Sequence, residues 1–156
     1  MGIALTTAGV TVGYCVEVTA GTRPTTGYIE LHDVKSIPSL NPEPENLETT
    51  TLAETEFKTY TTGLKDLGGS VPFLVNFTNA FIGEWDDLIE AYEAGIAEEK
   101  ATWFEVRHPK LEKSVFFTGQ PSKLGLPEMS VDSVLETEAY IVPTNAPDWY
   151  AKSTNA

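Results

Sequence analysis

The stretch that most limits the possible folds runs from Leu47 to Phe77 and leads directly into a helix. Its last part, Val71–Phe77, places valine or phenylalanine at every second position, which is the pattern of a strand with one buried face. An amphipathic segment begins within ten residues of this strand. The two elements each need a partner to cover their apolar side, so we expect the core to join a sheet to a helix.

The helix is predicted over about residues 84–94. Four large apolar side chains are spaced i, i+3, i+4 and i+7 and are expected to form its core face: Trp85, Leu88, Ile89 and Tyr92. Glu84, Asp86 and Asp87 are expected in the first turn, where the helix dipole favours negative charge. Gly95 is expected to cap the C-terminal end.

Alternation of apolar and polar residues predicts strands on both sides of this unit. In chain order they are Val10–Val18, Tyr28–Lys35, Leu47–Leu52, Glu56–Thr61, Val71–Phe77, Thr102–Arg107, Ser114–Thr118, Ser122–Leu126 and Val131–Val142, with a turn at Gly63–Gly69. Short strands at this spacing with a single helix predict a mainly β fold. The expected architecture is an antiparallel β-sandwich or barrel of about seven to eight strands with one flanking helix.

The chain of 156 residues is expected to form one domain. Residues 1–9 are small and polar and are predicted to be a flexible arm, and residues 10–142 are predicted to be the domain itself. Within the domain, prolines at positions 38, 42 and 44 predict a long loop over residues 37–48. Residues 143–156 are expected to be a polar tail that carries two aromatic residues, Trp149 and Tyr150.

The charge and cysteine content limit the classes of function. There are 23 acidic and ten basic residues, and the net charge of −13 argues against a site that grips nucleic acid through its phosphates. The single cysteine, Cys15, excludes an intrachain disulfide framework. Neither a signal peptide nor an apolar run of about 20 residues is found in the sequence, so folding in a reducing cytoplasm is expected.

No pattern of catalytic or metal-binding residues stands out. His32 and His108 each fall in a predicted strand, and one cysteine leaves too few ligands for an ordinary zinc site. Cys15 on a valine-rich strand is typical of a small core residue, and adjacent acids such as Glu98–Glu99 are typical of solvated surface. Phosphate-binding, dinucleotide-binding and hydrolase motifs are missing. We therefore expect no enzyme activity, no cofactor and no metal site.

Three segments have no role in such a core: the N-terminal arm, the 37–48 loop and the C-terminal tail. An aromatic pair such as Trp149 and Tyr150 in a polar tail is either a frayed end or an anchor for a partner. Three such segments on one small domain favour a protein that is completed by contacts with its own copies.

The order of features resembles that of the tail tube (major tail) proteins of long-tailed bacteriophages. The resembling residues are Thr49-Thr50-Thr51-Leu52, the turn Tyr60–Asp66, strand Val71–Phe77, the helix followed by Gly95, Trp103-Phe104-Glu105-Val106, Phe117-Thr118-Gly119 and Val131-Asp132-Ser133-Val134. The resemblance covers roughly residues 10–142, while the arm and the tail depart from it most. It implies a sandwich of two antiparallel sheets with a flanking helix.

The resemblance also implies a function in assembly. Six copies would form a ring, and stacked rings would form the tube through which DNA passes without specific binding. The implied partners are further copies, the tail initiator or tip, the tape measure and the terminator, and the implied location is the virion tail, assembled in the host cytoplasm. The predicted inter-ring contact residues belong to the long loop: Leu40, Asn41, Pro42, Glu43, Glu45 and Leu47.

Other interpretations of the same residues stay open. Glu136 and Glu138 are the first candidates for acids that line the lumen, but acids on an outer surface for solubility fit the sequence equally well. A tube protein of type VI secretion shares the architecture in outline. A monomeric ligand- or carbohydrate-binding β domain, which uses Trp103 or Trp149, is the alternative from another class.

Overall fold

Ten β-strands and one α-helix lie in the part of the chain that the computed structural model describes, which is residues 4–6, 8–41, 44–53, 55–65 and 69–154. The elements are β1 (Thr11–Val16), β2 (Ile29–Leu31), β3 (Val34–Ser36), β4 (Pro44–Glu48), β5 (Tyr60–Lys65), β6 (Val71–Asn76), α1 (Asn79–Ala97), β7 (Thr102–Arg107), β8 (Lys113–Pro121), β9 (Glu136–Pro143) and β10 (Asp148–Ala151).

Eight of the strands form one antiparallel sheet that curls until it is nearly closed. Seven of them follow the order β2-β1-β7-β8-β9-β6-β3, and β10 pairs with β8 beside this path. The end strands β2 and β3 are consecutive in the chain, so a single bent segment hydrogen-bonds to β1 with its first half and to β6 with its second half. The predicted mainly β class with one helix is confirmed, in its barrel-like form.

The bend that closes this sheet lies at His32 and Asp33. Asp33 has a φ of 63°, in the left-handed region, and its carbonyl accepts the Asn76 N–H at 2.8 Å. The prediction of one continuous strand over Tyr28–Lys35 is therefore wrong in detail. The apolar and polar residues of this segment alternate imperfectly because it changes partner strand at the kink. Residues 29–31 pair with β1, and residues 34–36 pair with β6 and turn a different side toward the core.

Helix α1 begins five residues earlier than predicted. Thr78 is its N-cap and accepts the Phe81 N–H at 3.1 Å through its hydroxyl oxygen. The predicted acidic first turn is wrong, since residues 79–82 contain no acid and Glu84 lies beyond them. The predicted cap at Gly95 is also wrong, because the helix continues to Ala97 and Glu98 is the C-cap.

Gly95 has a packing role instead. A Cβ built at this position would lie 2.8 Å from Cγ1 of Val16 and 3.2 Å from the Lys100 carbonyl oxygen. Only glycine lets the helix approach β1 this closely. The Gly95 carbonyl also accepts the N–H groups of Glu98 and Lys100, which ends the helix.

The core lies between the inner face of the curled sheet and α1. Strand β6 alternates as predicted, with Val71, Phe73 and Val75 buried. The predicted helix face is buried at Trp85, Leu88 and Ile89 and partly buried at Tyr92, and Phe81 adds a buried ring one turn earlier. The remaining core residues come from the other sheet strands: Val12, Tyr14, Leu31, Phe104, Phe117, Ala139 and Ile141.

Strand β8 replaces two predicted strands. Residues 113–121 form one strand, with Gly119 inside it and no strand over residues 122–126. A Cβ at Gly119 would lie 2.6 Å from Cγ2 of Ile141, so glycine here marks close packing against β9 and not a turn. Strand β9 begins at Glu136, so the predicted strand start at Val131 is wrong by five residues.

The segment from 44 to 65 differs most from expectation. Strands β4 and β5 pair with each other in a separate two-stranded sheet, so residues 44–48 of the predicted loop and residues 63–65 of the predicted turn are strand. The predicted strands Leu47–Leu52 and Glu56–Thr61 are displaced because threonine alternation fits a strand in either register. The rest of the predicted turn, at positions 66–68, lies outside the described residues.

Candidate assembly surfaces

The β4–β5 hairpin stands apart from the barrel-like sheet. Its base is the strand pair itself, with Leu47 opposite Thr61 and Glu48 opposite Tyr60. Threonines close the next step: Thr49 N–H donates to the Thr59 carbonyl at 2.8 Å, and Thr59 N–H donates to the Thr50 hydroxyl at 2.7 Å. A backbone bond and a threonine hydroxyl thus extend the pairing beyond the strands, toward the hairpin tip at residues 51–53 and 55–58.

Large apolar side chains on this hairpin are exposed to solvent. Leu52 is fully exposed, at 106% of the reference area, and Phe57 is 75% exposed. Tyr60 and Leu47, nearer the strands, are 56% and 47% exposed. The sequence analysis did not single out Leu52 and Phe57 as surface residues, although both lie among threonines and acids in the chain.

The predicted inter-ring contact residues divide between the barrel and the hairpin. Leu40 is half-buried and packs against the core, whereas Asn41 is exposed. Glu45 and Leu47 belong to β4. Pro42 and Glu43 lie outside the described residues.

A second exposed apolar surface lies on the long connection between β8 and β9, residues 122–135. Leu124 anchors this connection by packing against the core. The side chains that remain exposed are Leu126 (80%), Met129 (60%), Val131 (89%), Val134 (68%) and Leu135 (40%). Connections of this length without regular structure are uncommon unless they are functional.

The C-terminal residues are held against the outer face of the sheet. Strand β10 pairs with β8 over residues 113–116. Beyond it, the buried Glu105 carboxylate accepts the Ser153 hydroxyl at 2.6 Å and the Ser153 N–H at 3.1 Å, while the Arg107 guanidinium donates to the Ser153 carbonyl. Thr154 N–H donates to the Thr25 carbonyl at 3.0 Å. Residues 148–154 are therefore bound to the rest of the same chain by strand pairing and hydrogen bonds.

The two aromatic residues of this segment differ in their contacts. Tyr150 packs edge-on against Phe116, with ring centroids 5.9 Å apart, and the Arg23 guanidinium lies 4.3 Å from its ring centre. Arg23 also lies 4.7 Å from the centre of the Phe116 ring, so it bridges the two aromatics. Trp149 is 54% exposed and remains the better candidate for the predicted C-terminal anchor.

A second buried carboxylate, Glu17, ties the end of β1 to the start of β7. It accepts the N–H groups of Gly21 at 3.0 Å and Ala101 at 2.9 Å, and the Trp103 indole N–H at 2.9 Å. Burial alone raises the pKa of Glu17, but the bonds from Trp103, Ala101 and Gly21 outweigh it and the pKa is lowered. These three bonds give the Glu17 carboxylate a structural role at the junction of β1 and β7.

The proposed lumen acids already have partners in the monomer. The Glu136 carboxylate lies 2.8 Å from the Lys35 ammonium. Glu138 accepts the Tyr140 hydroxyl at 2.6 Å and is exposed. The densest run of acids lies on α1, which carries five carboxylates and no Lys or Arg: Glu84, Asp86, Asp87, Glu90 and Glu93.

An open groove of about 480 Å³ lies on the outer face of β1 and β7. Its lining includes Gly13, Glu30, Glu105, Arg107, Lys152 and Ser153. Acids and bases are mixed there, and Glu105 and Ser153 already bond to each other.

Elsewhere in the described chain, no group of three or more His, Cys, Asp or Glu residues is placed to hold a metal ion. No helix among these residues is long and apolar enough to span a membrane.

Comparison with known proteins identifies a shared fold. A chain in the cryo-EM structure of the anti-feeding prophage (AFP) baseplate, 6-fold symmetrised, superposes with a TM-score of 0.63 over 99% of this chain and 100% of that one. The sequences are 10% identical, so the likeness is one of fold. No protein-family model matches this chain, and neither does any curated protein sequence.

Proposed function

We propose that this chain is a structural subunit of a phage tail or a related tail-like particle, and that it forms the tail tube as stacked hexameric rings. The observation that carries the proposal is the end-to-end likeness of fold to a chain of a six-fold symmetrised prophage baseplate.

The exposed surfaces support a role in self-assembly. The β4–β5 hairpin and the 122–135 connection each expose several large apolar side chains. Exposed apolar patches on a folded domain are typical of protein–protein contact sites. Strand β10 pairs with β8 and presents its other edge beside this path, and an open edge can add a strand from a neighbour. A head-to-tail contact that closes after six copies makes a ring, and a second contact along the axis makes a tube.

The charge of the chain suits a conduit for DNA. Six copies at −13 carry −78 per ring, which would repel the phosphates of a passing duplex. Glu138 is the better of the two lumen candidates because Glu136 is paired with Lys35. DNA would then pass without specific binding.

The proposed role is non-catalytic and needs no cofactor. Its partners would be further copies, the initiator or tip of the tail, the tape measure and the terminator, and its location would be the particle assembled in the host cytoplasm. A type VI secretion tube protein has the same requirements for assembly. The genes that neighbour this one would separate the two.

Electron microscopy of concentrated protein in negative stain, with sedimentation velocity on the same sample, tests the proposal. Rings or tubes with six-fold end views are expected above a critical concentration. A monomer that persists at millimolar concentration would contradict self-assembly. It would favour the alternative of a monomeric ligand- or carbohydrate-binding domain, for which the groove on β1 and β7 is the place to look.

A further inference from the structure

Two separate surfaces of one copy are apolar and exposed to solvent. The tip surface consists of Leu47, Leu52, Phe57 and Tyr60 on the β4–β5 hairpin. The loop surface consists of Leu126, Met129, Val131, Val134 and Leu135 on the 122–135 connection. Their members are 40–106% exposed, although side chains of these types are usually buried.

The loop surface is shaped to face outward. The hydroxyls of Ser130 and Ser133 lie 2.8 Å apart and close a turn, and Asp132 within it has a φ of 60°. This turn holds Val131 at 89% exposure. Leu124 fixes one end of the connection to the core, and the Leu135 carbonyl fixes the other by accepting the Phe77 N–H at 3.0 Å. Val131 and Val134 are thus exposed on a connection that is fixed to the core at both ends.

The sequence pattern agrees with a use outside the monomer. Val131, Val134 and Leu135 lie in a run whose alternation predicts burial on a strand, yet the strand begins only at Glu136. Large apolar side chains that stay mostly exposed after folding lose contact with water when they pack against another molecule, and such a contact is favourable.

We propose that the tip surface of one copy packs on the loop surface of the next copy, as a heterologous contact. This proposal rests on the proposed self-assembly and names the surfaces that carry it. Because the two surfaces belong to different elements, each copy offers one of each, and the contact can repeat around a ring or along a filament.

Exposed charges of both signs border each surface. Lys58 lies beside the tip surface with Glu48 and Glu56, and Lys123 lies on the 122–135 connection with Glu128 and Asp132. A tip-to-loop contact can therefore set the lysine of each surface against the acids of the other, which adds charge complementarity to the apolar contact.

The exposed area is of the right order. A fully buried aromatic residue removes about 150–250 Å² from water, so the exposed fractions of Phe57 and Tyr60 amount to roughly 200–330 Å². This is about a quarter to two fifths of the roughly 800 Å² that each partner contributes to a standard interface. Leu52 and Leu47 add to it.

Single substitutions test each surface, with a matched control elsewhere. Leu52→Ser and Val131→Ser are each expected to raise the critical concentration for assembly at least about tenfold, because each removes a large apolar group from the contact. Val18→Ser is the control, since Val18 is 82% exposed and belongs to neither surface. It should leave assembly unchanged. Thermal melting of the monomers should also be unchanged, and a melting point lowered by either test substitution would show that the side chain packs within the monomer and overturn the proposal.

Crosslinking identifies the pairing directly. In a Cys15→Ser background, one chain carries Leu52→Cys and a second, tagged chain carries Val131→Cys, and a short bismaleimide reagent joins thiols that are close in the assembly. The mixed dimer is expected to dominate over both like-with-like dimers. Wild-type protein that assembles while the mixture yields no mixed dimer would overturn the tip-to-loop contact alone. Wild-type protein that does not assemble would overturn the proposed function as well.

Discussion

At the scale of single residues, Glu17 shows how a buried charge can stabilise this fold. Its two carboxylate oxygens accept three N–H donors from Gly21, Ala101 and Trp103, which join the end of β1 to the start of β7. A glutamine in its place would turn an NH₂ group toward at least one of these donors. We expect Glu17→Gln to lower the free energy of unfolding by about 1–3 kcal/mol in urea titration.

A matched control is Glu98→Gln, because Glu98 is exposed and its carboxylate lies 2.7 Å from the Lys100 ammonium. Its free energy of unfolding should not change measurably.

The contribution of Glu17 to stability should also depend on pH. Since its pKa is lowered in the folded state, its contribution is present above the ordinary pKa of about 4.5 and is lost as the pH falls through the lowered value. A loss that is equal at pH 7 and at pH 2 would contradict this account.

His32 provides a pH dependence of the opposite sign. Its Nδ1 lies 2.5 Å from Glu84, its backbone N–H donates to the same carboxylate at 2.8 Å, and its Nε2 lies 3.1 Å from Glu30. The hydrogen bond and charge of Glu84 come first among the causes that raise the pKa of His32, followed by the charges of Glu30 and Asp33. The stabilisation is therefore complete below about pH 6.5 and lost as the pH rises through the raised value.

We expect the melting temperature of the wild type to exceed that of His32→Asn most clearly at pH 6 and least at pH 9. In Glu84→Gln, the pKa of His32 should fall back toward its ordinary value, because the largest cause of its rise has been removed. Proton NMR titration of the imidazole measures this pKa. A difference in melting temperature that stays constant between pH 6 and pH 9 would show that the imidazole does not act through its charge.

Neither of these carboxylate contacts could be predicted from the sequence. Glu17 lies 84 positions from Ala101, and His32 lies 52 positions from Glu84. Glu17 follows an alternating strand in a position that looks solvent-facing, because alternation records only the apolar side. The donors that make burial tolerable come from elements whose placement depends on the whole fold.

At the scale of elements, prediction succeeded where one pattern dominated and failed where partners change. Strand β6, strand β7 and the helix face at Trp85, Leu88 and Ile89 follow from periodicity alone. The kink at Asp33 and the continuous β8 did not, because both depend on which strand lies alongside. Glycine was the most misleading residue, since Gly95 and Gly119 mark close packing here and not the ends of elements.

The two glycines of α1 give a paired prediction. Gly95→Ala places a methyl group 2.8 Å from Val16, so we expect a loss of about 1–3 kcal/mol of stability despite the better helix propensity of alanine. Gly83→Ala meets nothing within 4 Å and should stabilise the protein by about 0.5–1 kcal/mol. Urea unfolding of both variants measures the difference. If Gly95→Ala stabilised the protein as Gly83→Ala is expected to do, helix propensity would outweigh the contact with β1.

At the scale of the whole molecule, the fold class followed from the sequence but the candidate surfaces did not. The number of short strands and the single helix predicted a β-sandwich or barrel, and the nearly closed sheet agrees. The exposed apolar residues of the hairpin tip and the 122–135 connection could not be recognised, because a pattern of apolar residues predicts burial without saying in which molecule the burial takes place.

Net charge sets the conditions under which copies can assemble. Each chain carries a net charge of −13, so a ring of six has a net charge of −78. The six copies therefore repel one another as they come together. Salt shortens the reach of that repulsion from about 10 Å at 0.1 M to about 3 Å at 1 M. We expect the critical concentration for assembly to fall as NaCl is raised from about 0.05 to 0.5 M, measured by sedimentation and light scattering.

A variant with two fewer acids tests whether repulsion is the cause. Glu90 and Glu93 are exposed on α1, and replacing both with Gln lowers the charge to −11 per chain and −66 per ring. Its critical concentration should be lower than that of the wild type at 0.05 M NaCl and close to it at 0.5 M, because salt has then already screened the difference. Assembly that weakens with salt in both proteins would instead mean that ion pairs across the contact outweigh the net repulsion between copies.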